Sequence, residues 1–420
     1  MIAKKSPIRF ITAGSVDDGK STLIGRLLFD TKFILNDQIK NLESAKNNRA
    51  NFESFDLSFL TDGLESEREQ GITIDVAYRY FNTPTNKFII ADCPGHEQYT
   101  RNMVTGASNA DIAVILVDAS KVKDGSLLEQ TRRHTLIISL LKIKTVILAV
   151  NKMDLVNFSE ALFTEIFDSF QKLLRDLNFF PKCSAIPISA LQGDNIISNS
   201  KRTKWYESFS FLELLEKSSK SIRINDQLRL PIQYVLRWDG EKHNSQRAYA
   251  GRVESGVLSK NRLVKSFPSE ISSRIDRIVY LGKEIDSATA GQNVILWLNK
   301  DLDISRGDVL IESNDRVVSS KTFLAKIAWL DSLPFNSSSR YILKHNTKEI
   351  QAKISIVNKI NPVTLKSVST DTLTINEIGE ASVKVSQAIL ADSFEKFATT
   401  GSLILIDKIT NQTAAALMIK

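Results

Sequence analysis

Ile8-Arg9-Phe10-Ile11-Thr12-Ala13 runs directly into Gly14-Ser15-Val16-Asp17-Asp18-Gly19-Lys20-Ser21, and Thr22-Leu23-Ile24-Gly25-Arg26-Leu27-Leu28 follows without a break. The first stretch is an apolar run of strand length. The last spaces its apolar residues three and four apart, which predicts a helix from Ser21 to Asp30. Between the two, a loop with a glycine near each end can turn successive backbone N–H groups inward, and the first turn of the helix adds N–H groups with no intrahelical acceptor. Such a nest attracts phosphate. Lys20 is then placed to reach the outer phosphates of a nucleotide, and the Ser21 hydroxyl to ligate Mg2+. The candidate phosphate-binding residues are Gly14, Ser15, Val16, Asp17, Asp18, Gly19, Lys20, Ser21 and Thr22. A loop of this composition also arises by chance, so the strand before it and the helix after it carry the inference.

Four more motifs follow in order. Asp92-Cys93-Pro94-Gly95 ends the apolar run Phe88-Ile89-Ile90-Ala91. Alone it reads as an ordinary turn. After the first motif, Asp92 is expected to hold Mg2+ through water and Gly95 to offer an unhindered amide to a γ-phosphate. His96 comes next, where an attacking water would stand, and orienting that water is its expected role against the alternative of a structural histidine. His96, Lys20 and Gly95 are thus the candidate catalytic residues. Gly71-Ile72-Thr73 lies between the charged stretch Ser66 to Gln70 and an expected strand, Val76 to Phe81. Thr73 would give Mg2+ a second hydroxyl and order its loop only while the γ-phosphate is present. Ser21, Thr73 and Asp92 are the expected metal ligands.

Asn151-Lys152-Met153-Asp154 follows the apolar run Thr145 to Val150 and selects the base. The Asp154 carboxylate can accept from both N1–H and the 2-amino group of guanine. Adenine offers an acceptor at N1 and no neighbouring amine, so it would leave the carboxylate unpaired. Backbone amides around Ser189 and Ala190 would reach guanine O6; Leu191 completes the motif and is counted with the GTP-binding residues, although Ser-Ala-Leu by itself carries almost no signal. The expected cofactors are GTP and Mg2+.

Residues 8 to about 218 alternate apolar runs (Phe88 to Asp92, Ile112 to Asp118, Thr145 to Asn151, Ala185 to Ser189) with helix-like stretches (Tyr99 to Ala107, Ser126 to Leu141, Ala161 to Leu177). This predicts a mostly parallel sheet wrapped by helices, with ligands at the carboxyl ends of the strands. From about Gln227 the period changes to two, in Leu230 to Val235, Arg274 to Leu281, Asn293 to Leu298, Phe323 to Leu330, Ile350 to Val357, Ala381 to Val385 and Ser402 to Ile406. Short strands broken by Gly, Asn and Ser predict two small antiparallel β-barrels. The expected domains are 1–222 for nucleotide binding, then barrels at 223–317 and 318–420, with a polar linker at Lys217 to Asp226 and a junction near Asn314 to Ser320.

The 420 residues carry a net charge of +7, but the basic residues are interleaved with acids and form no dense run, so neither DNA nor RNA is expected as a partner. No apolar run approaches the length of a membrane span, and Met1 to Pro7 holds no leader-like core, so a cytoplasmic protein is expected. Cys93 and Cys183 are too few for a disulfide framework or a Cys-based metal site and are expected to be small, core-facing residues.

The wording of Gly71-Ile72-Thr73-Ile74-Asp75 and Asp92-Cys93-Pro94-Gly95-His96 resembles the translation-factor class of P-loop GTPases. Within that class, residues 14 to 28, Asp62-Gly63-Leu64, Glu67 to Tyr80, Cys93 to Met103, Arg252 to Gly256 and Asp303 to Asp308 are similar to the large, GTPase subunit of bacterial sulfate adenylyltransferases. The resemblance spans about residues 8 to 315. It implies a P-loop GTPase domain followed by two β-barrels, in a heterodimer whose smaller ATP- and sulfate-binding catalytic subunit makes adenosine 5′-phosphosulfate and diphosphate while this subunit hydrolyses GTP. The chain carries no second phosphate loop, which assigns adenylylation to the partner. An elongation-factor-type GTPase delivering aminoacyl-tRNA remains the alternative. Asp18 departs from the translation factors, and a carboxylate beside a phosphate site is unfavourable unless it turns away or meets a cation.

Overall fold

A computed structural model describes residues 7–33, 73, 75–123, 125–218, 226–239, 245–317 and 319–420. Gly71, Ile72, Ile74, the stretches Asp62 to Leu64 and Ser66 to Gln70, and most of the expected linker lie outside the described residues. The chain divides into two compact units, Met1–Ser221 with Pro362–Leu365, and Ile222–Asn361 with Lys366–Lys420.

The first unit is a six-stranded sheet in the order β2-β3-β1-β4-β5-β6, where β1 is Ile8–Ala13, β2 Ala77–Asn82, β3 Lys87–Asp92, β4 Ile112–Asp118, β5 Thr145–Asn151 and β6 Lys182–Pro187. All neighbours are parallel except the edge pair β2 and β3. Every residue of β4 is buried. A strand apolar on both faces needs helices on both sides, and α1 (Lys20–Asp30), α2 (Thr100–Ala107), α3 (Glu129–Leu140), α4 (Glu160–Asp176) and α5 (Phe211–Lys217) provide them. α4 shows how: Ser159 caps its first turn by accepting from the Leu162 N–H at 3.3 Å, and Phe163, Ile166, Phe170, Leu173 and Leu174 form its buried stripe. Each such side chain contributes about 1.5–3 kcal/mol of burial.

Several expected boundaries shift. The last strand begins at Lys182, so Cys183 lies within it and is half-buried, while Ser189 has left the sheet for a bridge to Asp194. As an edge strand paired only to β5, it tolerates polar residues in its first half, which hid it from an apolar-run reading. Helix α3 starts at Glu129, because Ser126 is bridged back to Lys123. The sequence reading missed α5, which is held by a reciprocal capping box between Ser210 and Glu213.

The second unit contains two closed barrels. Leu263–Phe267, Val309–Glu312, Leu230–Asp239, Ser245–Arg252, Asn293–Leu298 and Ser272–Tyr280 close one antiparallel ring. Tyr341–His345, Ser402–Asp407, Thr413–Ile419, Ser319–Trp329, Ile378–Leu390 and Lys348–Ile360 close the other. Thr413–Ile419, rich in alanine and weak by propensity, was not expected as a strand. It forms because it lies between two partners and buries Ala414 and Ala415 completely.

Candidate nucleotide site

The loop between β1 and α1 is held from several directions. The Gly14 N–H donates to His134 Nδ1 at 3.1 Å, the Asn151 amide nitrogen donates to Asp18 O at 2.8 Å, and Lys121 Nζ donates to Val16 O at 3.2 Å. Asp18 turns inward: one oxygen of its carboxylate accepts the Ser15 N–H at 2.6 Å, and the residue is fully buried. Gly19 adopts φ +90°, and a Cβ there would stand 2.3 Å from the Asn151 amide nitrogen, so this residue has to be glycine.

Lys20 is buried beneath the loop, with Nζ donating to Ser15 O at 2.7 Å and Gly14 O at 3.3 Å. Burial pushes its ammonium below the usual lysine range against the opposing charges of Asp18 and Asp92, and burial pushes the Asp18 carboxyl up. A cation desolvated in this way gains most from an incoming anion. Ser21 and Thr22 occupy the half-buried first turn of α1.

The second motif stands against the first. A Cβ on Gly95 would lie 2.3 Å from Lys20 Nζ and 3.0 Å from Ser15 O, so the two loops approach so closely that any side chain here would displace Lys20. Asp92 is buried at the end of β3 and accepts from the Thr12 hydroxyl at 2.9 Å. Cys93 is fully buried, as expected, and its thiol is raised by burial. Pro94 is also buried. His96 is half-buried, with its Nδ1 shielded from solvent and lacking a hydrogen-bond partner among the described residues, and its ring lies 6.1 Å from that of Tyr99. A buried ring nitrogen without a partner is a rare cost that calls for a role. Thr73 is half-buried in the loop before β2.

The Asn151-Lys152-Met153-Asp154 motif leaves the carboxyl end of β5. Asn151 braces the site: besides holding Asp18, its Oδ1 accepts the Ala190 N–H at 3.0 Å. Lys152, at φ +59°, bonds buried Asp118 at 2.8 Å. Burial alone would raise Asp118, but Lys152 and Ser120 outweigh it and hold the carboxyl low. Met153 is fully buried and Asp154 half-buried at the start of a short 3-10 turn. Ser189 and Ala190 are buried and Leu191 is exposed. The Ala190 amide, expected to serve guanine O6, is already bonded to Asn151.

Sequence reasoning missed Thr12, Asp118, Lys121 and His134. His134 is fully buried on α3, 120 residues from the glycine it serves, with Gln130 at 3.1 Å from its Nε2. Burial, helped by Lys20 and Arg133, pushes its imidazole down to about 3, so the ring is neutral and Nδ1 is free to accept. Such a contact has no local motif. The only clue was Gln130 and His134 sharing one helix face. Among the described residues no three His, Cys, Asp or Glu side chains cluster to hold a metal. Mg2+ would therefore rely on Asp92, hydroxyls and the nucleotide's own phosphates, a donor set suited to a hard ion.

Residues 5–224 match the family described as Elongation factor Tu GTP binding domain, and residues 322–420 match the GTP-eEF1A C-terminal domain-like family. The chain is 45% identical over 419 residues to sulfate adenylyltransferase subunit 1 of Bacteroides fragilis, covering 99% of this chain and 86% of that protein. It is 43% identical to the subunit 1 of Psychromonas ingrahamii, covering 99% and 87%. Among solved structures it is similar to sup35 complexed with GDP, at 21% identity and a TM-score of 0.44, covering 99% of this chain and 94% of that one. A GTP-binding domain of elongation factor Tu type and full-length relatives at 43–45% identity together show that the chain belongs to the family of sulfate adenylyltransferase subunit 1.

Proposed function

We propose that this chain is the GTP-hydrolysing subunit of a sulfate adenylyltransferase, coupling GTP hydrolysis to adenylyl transfer from ATP to sulfate by a smaller catalytic subunit in a heterodimer. The observation that carries the reading is the convergence of Gly95 on Lys20 beneath the phosphate loop. It sets the Gly95 backbone beside a buried cation, with His96 next in the chain, and this supports reading the three as a γ-phosphate site. Lys20 and the first-turn amides of α1 would bind the phosphates, and His96 would orient the attacking water. Ser21, Thr73 and Asp92 would hold Mg2+, which when bound offsets phosphate charge. Asp154 would select guanine. We read the chain as three domains, 1–222, 223–317 and 318–420, working in the cytoplasm. The reaction forms a costly sulfate–phosphate anhydride, and a second nucleotide can drive it where both sites share a conformational change.

The test is to reconstitute the chain with its co-purifying partner and measure sulfate-dependent diphosphate release from ATP. GTP should raise it and a non-hydrolysable analogue should not; equal release with and without GTP would sink the proposal. Asp154→Asn should shift preference from GDP to xanthosine diphosphate, whose O2 accepts from the new amide.

A further inference from the structure

We propose that Arg26 is a positioning residue for guanine recognition, setting from the phosphate-binding helix the direction in which the Leu191 N–H points. This rests on reading the site as a guanine-nucleotide site. Arg26 lies in α1, beyond Lys20, and is half-buried. Its Nε donates to Ala190 O at 3.3 Å and its Nη2 donates to Leu191 O. Asp30, one turn further along, holds Nη1 at 3.7 Å.

A trans peptide unit is planar, with its C=O and N–H pointing in opposite directions. The Ala190 carbonyl and the Leu191 N–H belong to one such unit. Drawing the carbonyl towards α1 therefore turns the N–H away from α1. The neighbouring amides are already engaged. Ser189 N–H donates to Asp194 O at 3.4 Å, Ala190 N–H to Asn151 Oδ1 at 3.0 Å, Gln192 N–H to Ser189 Oγ at 3.2 Å and Gly193 N–H to Ser189 O at 2.8 Å. Among the described residues the Leu191 N–H donates to no acceptor and is the remaining amide of the loop. Leu191 is 46% exposed, so its side chain packs little, and the guanidinium bonds both its carbonyl and the one before it. A fixed N–H facing the base donates to guanine O6 and opposes the 6-amino group of adenine, so Arg26 ties base discrimination to the helix proposed to bind phosphate.

The experiment compares GDP with 2-aminopurine riboside 5′-diphosphate, which keeps the 2-amino group, carries hydrogen in place of O6 and has an acceptor at N1 where guanine has N1–H, so each nucleotide is judged by its own change on substitution of Arg26. Both are titrated against the full chain and its Arg26→Ala and Arg26→Lys variants. Arg26→Ala should weaken GDP about tenfold and the analogue less than about twofold, the difference expected for one directed hydrogen bond. Arg26→Lys, which retains one donor to the two carbonyls, should recover part of the loss. Equal weakening of both nucleotides, or undiminished GDP affinity, overturns the inference. Should Arg26→Ala not fold, Arg26→Gln carries the same comparison. Asp154→Asn serves as the separate control. If it keeps its preference for GDP over xanthosine diphosphate, the guanine-site reading itself fails. If it switches while Arg26→Ala leaves the two nucleotides equally affected, only the role of Arg26 falls.

Discussion

Arg229 in the barrel unit and Lys20 in the nucleotide-binding unit are both buried cations, 2% and 7% exposed, yet their surroundings differ in kind. Arg229 grips Asp392 with two bonds, at 2.7 and 3.0 Å, and Asp315 at 2.6 Å, donates to Leu228 O at 2.9 Å, and stacks 4.2 Å over Phe397. Thr400 and Gln227 complete the two carboxylates. Burial would lower the guanidinium, but Asp392 and Asp315 outweigh it and hold it above its ordinary value. Among the described residues Lys20 has only loop carbonyls as hydrogen-bond acceptors, and there burial prevails. A closed charge network stabilises a fold; a buried cation left short of charge is poised for a ligand. The pair shows why burial of a charge does not by itself reveal its purpose.

The largest expected effect is on the closed side. Arg229→Ala leaves two buried carboxylates unpaired and should cost about 3–5 kcal/mol in urea unfolding of the barrel unit. A variant as stable as the parent would break the comparison. Lys20→Ala should do the reverse: GDP affinity falls by about a hundredfold or more, while stability without nucleotide is kept or improved, because a costly burial is removed. Equal destabilisation by both substitutions would show that Lys20 is structural too. His96→Ala should slow GTP hydrolysis about a hundredfold and leave GDP affinity within about twofold; matching losses in both would make His96 a packing residue.

The smallest effect concerns acid. His134 titrates near 3 when folded and near 6.5 when unfolded, so between those values the unfolded chain binds the extra proton. Stability is complete above about pH 6.5, falls as pH drops through that window, and should be lower by about 2 kcal/mol at pH 5. His134→Gln should flatten that slope, read as the urea midpoint against pH.

Much of the site was legible because its chemistry is local. Gly19, Lys20 and Ser21 act as a strand-loop-helix unit, and Asp92, Gly95 and Asp154 follow the ends of apolar strands, where a parallel sheet exposes its ligand edge. The change from apolar runs to period two likewise announced the sheet and the barrels. Those readings depend on residue type and spacing, which the chain carries in any fold. Tertiary structure alone decided the rest. It turned Asp18 back onto Ser15, set His134 behind Gly14, gave the Ala190 amide to Asn151 and joined Arg26 to the base loop. Three of these contacts join residues 39 to 164 positions apart, and the fourth depends on which way a carboxylate turns. Spacing along a chain encodes neither, because both are settled only when strands β1, β5 and β6 and the helices on them come into register.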